Sequence, residues 1–248
     1  MNPIIAVILI ICVVLLIVYL IRYTMGNSYT LQEGVRNARD MSTFAASSLA
    51  TMGSDAPASN FAYSVWFYVN DWNYRYGESK VLFGRMGSTS ATPPNLKDGM
   101  GVAGSDPCPL VQFNSNANDL EIYMSTYATD DTSPFKCAVS NIPIQRWVNL
   151  SISVYGRTLD VYLNGKLVKT CVMPGIAKIN NTTDLSLTPG RGFEGWTSKF
   201  AFYPMPMNPQ DAYDIYAKGP TGALSGLSAY QVQLALLNNG ETISSASF

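Results

Sequence analysis

Residues 147–169, WVNLSISVYGRTLDVYLNGKLVK, leave this chain little choice of fold. Val148, Leu150, Ile152 and Val154 alternate with Asn149, Ser151, Ser153 and Tyr155. A period of two puts the first set on one face of a strand and the second set on the other. Gly156-Arg157 interrupts the run, and Leu159, Val161 and Leu163 begin a second alternation. Asn164-Gly165 follows, and because both residues tolerate positive φ the pair is a strong hairpin signal. Leu167 and Val168 lead into a third strand. The stretch predicts an antiparallel meander, which fixes the register of the strands beside it.

The alternation recurs on either side. In residues 61–69, FAYSVWFYV, one face carries Phe61, Tyr63, Val65, Phe67 and Val69, and the other Ala62, Ser64, Trp66 and Tyr68. Aromatic residues on both faces predict a strand of a two-sheet sandwich whose outer side is covered. Residues 80–85, 135–139, 185–187 and 197–203 are further strands, and 110–113 pairs with 120–127 as a hairpin around 114–118. Residues 88–107 and 129–134 are polar loops. Asn208, Pro209 and Asp211 spell a helix N-terminus: a cap, a proline in the first turn and an acid near the positive end of the helix dipole. Ala212, Ile215 and Tyr216 form the apolar face of that helix, and Gly219-Pro220 stops it. Tyr230, Val232, Leu234 and Leu236 alternate once more before a turn at 238–240, predicting an added strand that closes a sheet edge.

Residues 4–21 are an unbroken apolar run ending at Arg22. At 1.5 Å per residue such a run crosses a hydrocarbon core of ~30 Å. A cleaved signal peptide needs a basic start and a small-residue cleavage site, and neither residues 1–3 nor residues 22–25 supply them. The run predicts an uncleaved transmembrane helix, with Tyr19 and Tyr23 at the interface and Arg22 snorkelling. Arg22, Arg36 and Arg39 all follow it, a bias that puts the remaining chain on the cytoplasmic side. Glycosylation sequons at Asn149, Asn180 and Asn181 argue for the other side, although Asn149 lies within a predicted strand. Leu31, Val35, Ala38, Met41, Ala45, Leu49 and Met52 fall at helical spacing and predict a partly helical stalk, ended by 53–57. The chain thus divides into an anchor (1–23), a stalk (24–58), a sandwich (59–219) and a C-terminal extension (220–248).

Composition narrows the chemistry. The 248 residues include no His, which removes Ser-His and Cys-His nucleophile pairs and His-ligated metals together. A formal net charge of −1 without a basic run gives no electrostatic footprint for nucleic acid. Cys12 lies in the apolar run, and Cys108, Cys137 and Cys171 fit no zinc spacing. These three are buried thiols or include one bridge, Cys108–Cys137 being the first to test, and cytoplasmic facing favours thiols. Asp98, Asp106, Asp130 and Asp131 lie in predicted loops, yet no spaced calcium motif links them, so no metal or cofactor is expected. Trp72, Tyr74, Arg75 and Tyr76 cluster in one loop and are the candidate contact residues. Such rings stack on sugars, anchor protein interfaces, or bury half their area while bridging two strands.

The Trp-led strand and its turn, the L-D-V-Y-L-N-G-K-L of 159–167, the opening strand 61–69, and Gly192-Phe193-Glu194-Gly195-Trp196 before 200–203 are together similar to laminin-G-like domains of the concanavalin A-like jelly-roll superfamily. The resemblance covers roughly residues 59–219. With the N-terminal anchor and residues 71–77, DWNYRYG, the chain also resembles membrane-anchored proteins of large double-stranded DNA viruses, which are associated with an internal membrane and capsid. The superfamily includes glycoside hydrolases, which need two carboxylates about the sugar bond. Related glucanases carry them as E-x-D-x-E on one strand. The nearest match here is Ala117, Asp119 and Glu121, one carboxylate short, so Asp119 and Glu121 are expected to be solvated at a hairpin edge. Trp147, as a family-like Trp, is expected between the sheets. The resemblance implies an all-β, antiparallel two-sheet jelly-roll sandwich with an N-terminal transmembrane helix and one short helix near the C-terminus. It implies a non-enzymatic minor capsid protein whose partners are the membrane and other capsid or membrane-associated proteins. Because the superfamily also holds lectins, a glycan is the alternative partner.

Overall fold

A computed structural model describes residues 13, 16–17, 29–51, 60–87, 106–127, 134–179, 182–221, 233–238 and 241–247. Two antiparallel sheets form a sandwich. In chain order the strands are β1 (Thr30–Gln32), β2 (Arg36–Asn37), β3 (Ser42–Phe44), β4 (Phe61–Asp71), β5 (Lys80–Gly87), β6 (Asp106–Phe113), β7 (Leu120–Met124) and β8 (Phe135–Val139). Then come β9 (Trp147–Tyr155), β10 (Thr158–Leu163), β11 (Lys166–Val172), β12 (Leu185–Leu187), β13 (Glu194–Tyr203), β14 (Gln233–Asn238) and β15 (Glu241–Ser247). Helix α1 (Ala46–Thr51) follows β3, and α2 (Pro209–Ala217) follows β13. One sheet has seven strands, ordered β1-β13-β4-β9-β10-β11 with β2 also on β13, and the other has six, ordered β3-β12-β5-β6-β7-β8.

The expected meander is β9-β10-β11, and the Asn164-Gly165 turn has φ of 51° and 73°. Period two sorts the side chains as read from the sequence. Phe61, Tyr63, Val65, Phe67 and Val69 of β4 join Val148, Leu150, Ile152 and Val154 of β9 in one buried cluster. Rings cross between the sheets: Phe67 meets Phe113 at 5.4 Å, and Tyr63 meets Phe83 at 5.4 Å. On the outer face of the larger sheet, α2 covers Ala62 and Tyr162 through Ala212, and Tyr216 stacks on Trp66 at 5.6 Å. Its start is a capping box between Asn208 and Asp211, as the sequence indicates. A Cβ on Gly165 would lie 2.9 Å from Tyr213 Cα, so the hairpin turn meets this helix only because the residue is glycine.

Several expectations give way. The anchor falls almost wholly outside the described residues; among those described, no helix is long and apolar enough to cross a membrane. The stalk is not a helical spacer where it is described. β1 and β2 pair with β13 and β3 pairs with β12, leaving helix only at Ala46–Thr51. Leu31 packs on the core and Ala38 and Leu49 are buried, whereas Val35 and Met41 are exposed. A spacing of three and four over so short a stretch also fits strands joined by turns, and the unpaired edges of β13 and β12 decide the matter. In the C-terminal extension, Tyr230 and Val232 lie outside the described residues; among those described, β14 and β15 pair with each other and with no strand of the sandwich. The strand after the long loop begins at Asp106 rather than beyond Pro107.

The disulfide joins Cys137 to Cys171, not to Cys108, which lies in the buried core. β8 and β11 are the last strands of their sheets, so the bridge ties the sheets along one edge. Along the other edge the chain itself ties them, passing from β1 to β3.

The two ends of the sandwich differ. The Phe202 N–H donates to the Tyr29 carbonyl, so the chain enters where β13 finishes, β4 begins, β9 reaches Tyr155 and β11 reaches Val172. This is the entry end. The far end carries Tyr68, Trp147, the start of β13 and the loop after β4.

Candidate interaction site at the far end

The loop leaving β4 holds the four contact residues predicted from sequence, and the structure gives them unequal roles. Trp72 is half-buried, edge-on to Phe113 at 5.9 Å. The Lys80 ammonium lies 4.9 Å from the Trp72 ring centroid, and among the described residues it has no hydrogen-bond acceptor. Burial, and after it the Arg75 charge, push the Lys80 pKa down, with Glu78 opposing. Trp72 therefore serves packing and a buried cation. The Tyr74 hydroxyl donates to the Arg191 carbonyl at 3.4 Å, and the Arg39 guanidinium stands 4.7 Å from its ring. Arg75 Nη1 donates to the Gly190 carbonyl and Nε to Glu78 at 2.8 Å. These two side chains pin the loop to residues 190–192. Of the four, Tyr76 alone projects freely, 62% exposed.

A second group of rings stands beside the loop. Cross-strand register sets Tyr68 of β4 between Trp147 of β9 and Trp196 of β13. Tyr68 meets Trp147 at 5.8 Å and Trp196 at 5.4 Å, both near edge-to-face. A Cβ on Gly195, whose φ is +152°, would lie 1.8 Å from the Tyr68 carbonyl oxygen. Glycine thus lets β13 approach β4 at a bulge and brings Trp196 beside Tyr68. Trp147 consequently lies on the outer face, half-buried, and not between the sheets. Period two carries the signal: Trp147 shares its face with Asn149 and Ser151, as Tyr68 does with Trp66 and Ser64. Proximity to Trp196 could not be read, because it needs the β13–β4 register.

Arginines surround the rings. Arg36, Arg146 and Arg191 are exposed, and among the described residues none has a carboxylate at salt-bridge distance. Glu194 is paired with Arg39, and Glu78 with Arg75. Exposed rings with guanidinium groups can bind planar, apolar or anionic groups. Of the nearby carboxylates, Glu194 and Glu78 are committed to arginines, and Asp71 accepts from the Asn73 N–H.

Of the carboxylates at glucanase-like spacing, Asp119 lies in the half-exposed turn before β7 and Glu121 on β7 itself, where its surroundings correct the expectation of solvation. Glu121 is buried and accepts from Lys136 at 2.7 Å, Asn114 at 2.8 Å, Tyr123 at 2.9 Å and Gln112 at 3.2 Å. Burial alone would raise its pKa; the four donors outweigh it and hold the carboxyl at about 2. Asp119 accepts from the Asn141 N–H at 3.1 Å. Of the loop aspartates, Asp98, Asp130 and Asp131 lie outside the described residues, and Asp106 is 3.8 Å from the Lys178 ammonium. Among the described residues no group of three or more Cys, Asp or Glu could hold a metal ion.

No protein-family model matches the chain, and no curated protein is significantly similar to it. Solved structures similar to it include the binding domain of botulinum neurotoxin DC in complex with rat synaptotagmin II, at 14% identity and a TM-score of 0.49, covering 71% of this chain and 39% of that one. The binding domain of botulinum neurotoxin serotype G is similar at 13% identity and a TM-score of 0.45, covering 64% and 36%. The chain spans little more than a third of the length of those structures.

Proposed function

We propose that this chain is a non-enzymatic, membrane-anchored interaction protein that offers the far end of a jelly-roll sandwich to a protein partner. The observation that carries this reading is the far end itself, where Tyr68, Trp147 and Trp196 adjoin exposed Arg36, Arg146 and Arg191. Tryptophan, tyrosine and arginine are the residues that concentrate binding energy in protein interfaces. The apolar run 4–21 supports the anchor, and a rigid domain on a single span suits a minor capsid component joining an internal membrane to a shell. The state of Glu121 supports a non-enzymatic role, since a general acid needs a raised pKa and this carboxyl is held low.

The partner is tested in the native particle or membrane. A photo-crosslinking residue at Arg191 or Tyr76 is expected to trap a shell protein, and the same residue at Val172, at the entry end, is not. Crosslinks to no shell protein from either far-end position would sink the capsid reading. The exposed Trp196 ring favours one alternative, a glycan ligand. Glycan-array binding by the full chain that is abolished by Trp196→Ala would establish it. The arginines after the anchor favour a cytoplasmic, capsid-side domain, whereas the disulfide pulls the other way because cytosolic thiols are kept reduced. Endoglycosidase digestion separates the two, since sugar on Asn180 or Asn181 requires the lumenal side.

A further inference from the structure

The entry end presents a surface of different character. β9 stops at Tyr155 and β11 at Val172, and residues 173–178 cross to the other sheet. There Thr126 bridges to Ala177, and the Tyr127 N–H donates to the Ile176 carbonyl at 2.8 Å. Tyr127, Tyr155, Val172, Ile176 and, just past β13, Met205 are each between 48% and 69% exposed. Two cations lie among them: half-exposed Lys178, its ammonium 5.8 Å from the Tyr127 ring centroid and 3.8 Å from Asp106, and exposed Arg157, whose Nε donates to the Met173 carbonyl. Scattered apolar exposure is ordinary on a protein surface. Here the route of the chain makes it more than that. The apolar run ends at Arg22 and β1 begins at Thr30. The steps from Tyr23 to Thr30 reach at most about 25 Å. β4, with 11 residues, extends about 36 Å in the other direction, towards the far end. A membrane span therefore holds the entry end near the lipid and the far end away from it.

We infer that the entry end is a membrane-resting face. On this inference, which rests on the anchored reading above, Tyr127, Tyr155, Val172, Ile176 and Met205 lie in the headgroup layer of the bilayer that residues 4–21 cross. Tyrosine rings settle at that depth with the hydroxyl towards water, aliphatic side chains face the acyl boundary, and Lys178 and Arg157 meet lipid phosphates. Such contact would fix the tilt of the sandwich, so that the far-end rings and arginines point along the membrane normal.

The test uses the full chain in phosphatidylcholine vesicles containing a lipid with a nitroxide on its headgroup. Tyr155→Trp and Val172→Trp each add an emitter at the entry end, and Tyr76→Trp adds one at the far end. The expected result is several-fold stronger quenching of the added emission in the first two variants than in Tyr76→Trp. Equal quenching at both ends, or no quenching at the entry end, in protein that floats with the vesicles overturns this inference and leaves the anchor standing. A wild-type chain that does not float with the vesicles overturns the anchor, and the inference with it.

Discussion

Phe113 is the residue on which the far half of the core turns. Phe67, Trp72 and Phe193 each place a ring against it at 5.3–5.9 Å. Phe113→Ala should therefore destabilise the domain by about 3–5 kcal/mol, the range for emptying a packed aromatic site. Trp147→Ala removes a half-buried ring from the outer face and should cost about 1 kcal/mol. Denaturant midpoints of the two variants, read against wild type, check the order. A larger loss at Trp147 would mean that the outer trio belongs to the core and is no contact surface. The different fates of Trp147 and Phe67 were legible in the alternation of their strands; only the family-like reading of Trp147 turned it inward.

At the scale of elements, two devices hold the β6-β7-β8 side of the sandwich. Glu121 gathers donors from β6, β7, β8 and the intervening turn. Its folded pKa is depressed from 4.5 to about 2, so its contribution is complete above the unfolded value and is lost as pH falls from about 4.5 towards 2. With the solvent screening of its half-exposed Lys136 partner discounted, such a shift is worth on the order of 1–2 kcal/mol. Glu121→Gln should be less stable than wild type at pH 6, with the difference narrowing towards pH 2; a gap independent of pH would show that the charge is not what matters. The Cys137–Cys171 bridge closes a 34-residue separation, for which release of loop entropy on reduction predicts a loss of roughly 2–4 kcal/mol. Thermal melts with and without reductant measure the loss, and a non-reducing peptide map must contain the 137–171 linkage. A linkage through Cys108 would refute the edge-to-edge tie. Neither device could be read from the sequence, because cysteine spacing does not encode pairing and Lys136 reaches Glu121 only through the β7–β8 register.

For the whole molecule, the division between anchor and domain is the decisive test. Removing residues 1–28 retains β1, β2 and β3 and should yield a soluble, cooperatively unfolding β-sandwich. Removing residues 1–58 strips those strands, leaves β13 and β12 as open edges, and should give an aggregating product. Size-exclusion profiles and circular dichroism of the two fragments decide it. A well-folded shorter fragment would restore residues 24–58 to the status of a stalk.

The sequence by itself determined the sheet faces, the central meander and the α2 cap. These are local matters: period-two burial, a turn that tolerates positive φ, a side chain that caps its own helix. Only the tertiary structure decided which edges β1 and β3 fill, which cysteines meet, why Glu121 stays ionised and that Trp196 joins Tyr68 and Trp147. Each of these rests on strand register between segments far apart in the chain, and in each case the physical cause is a partner that the local sequence does not contain.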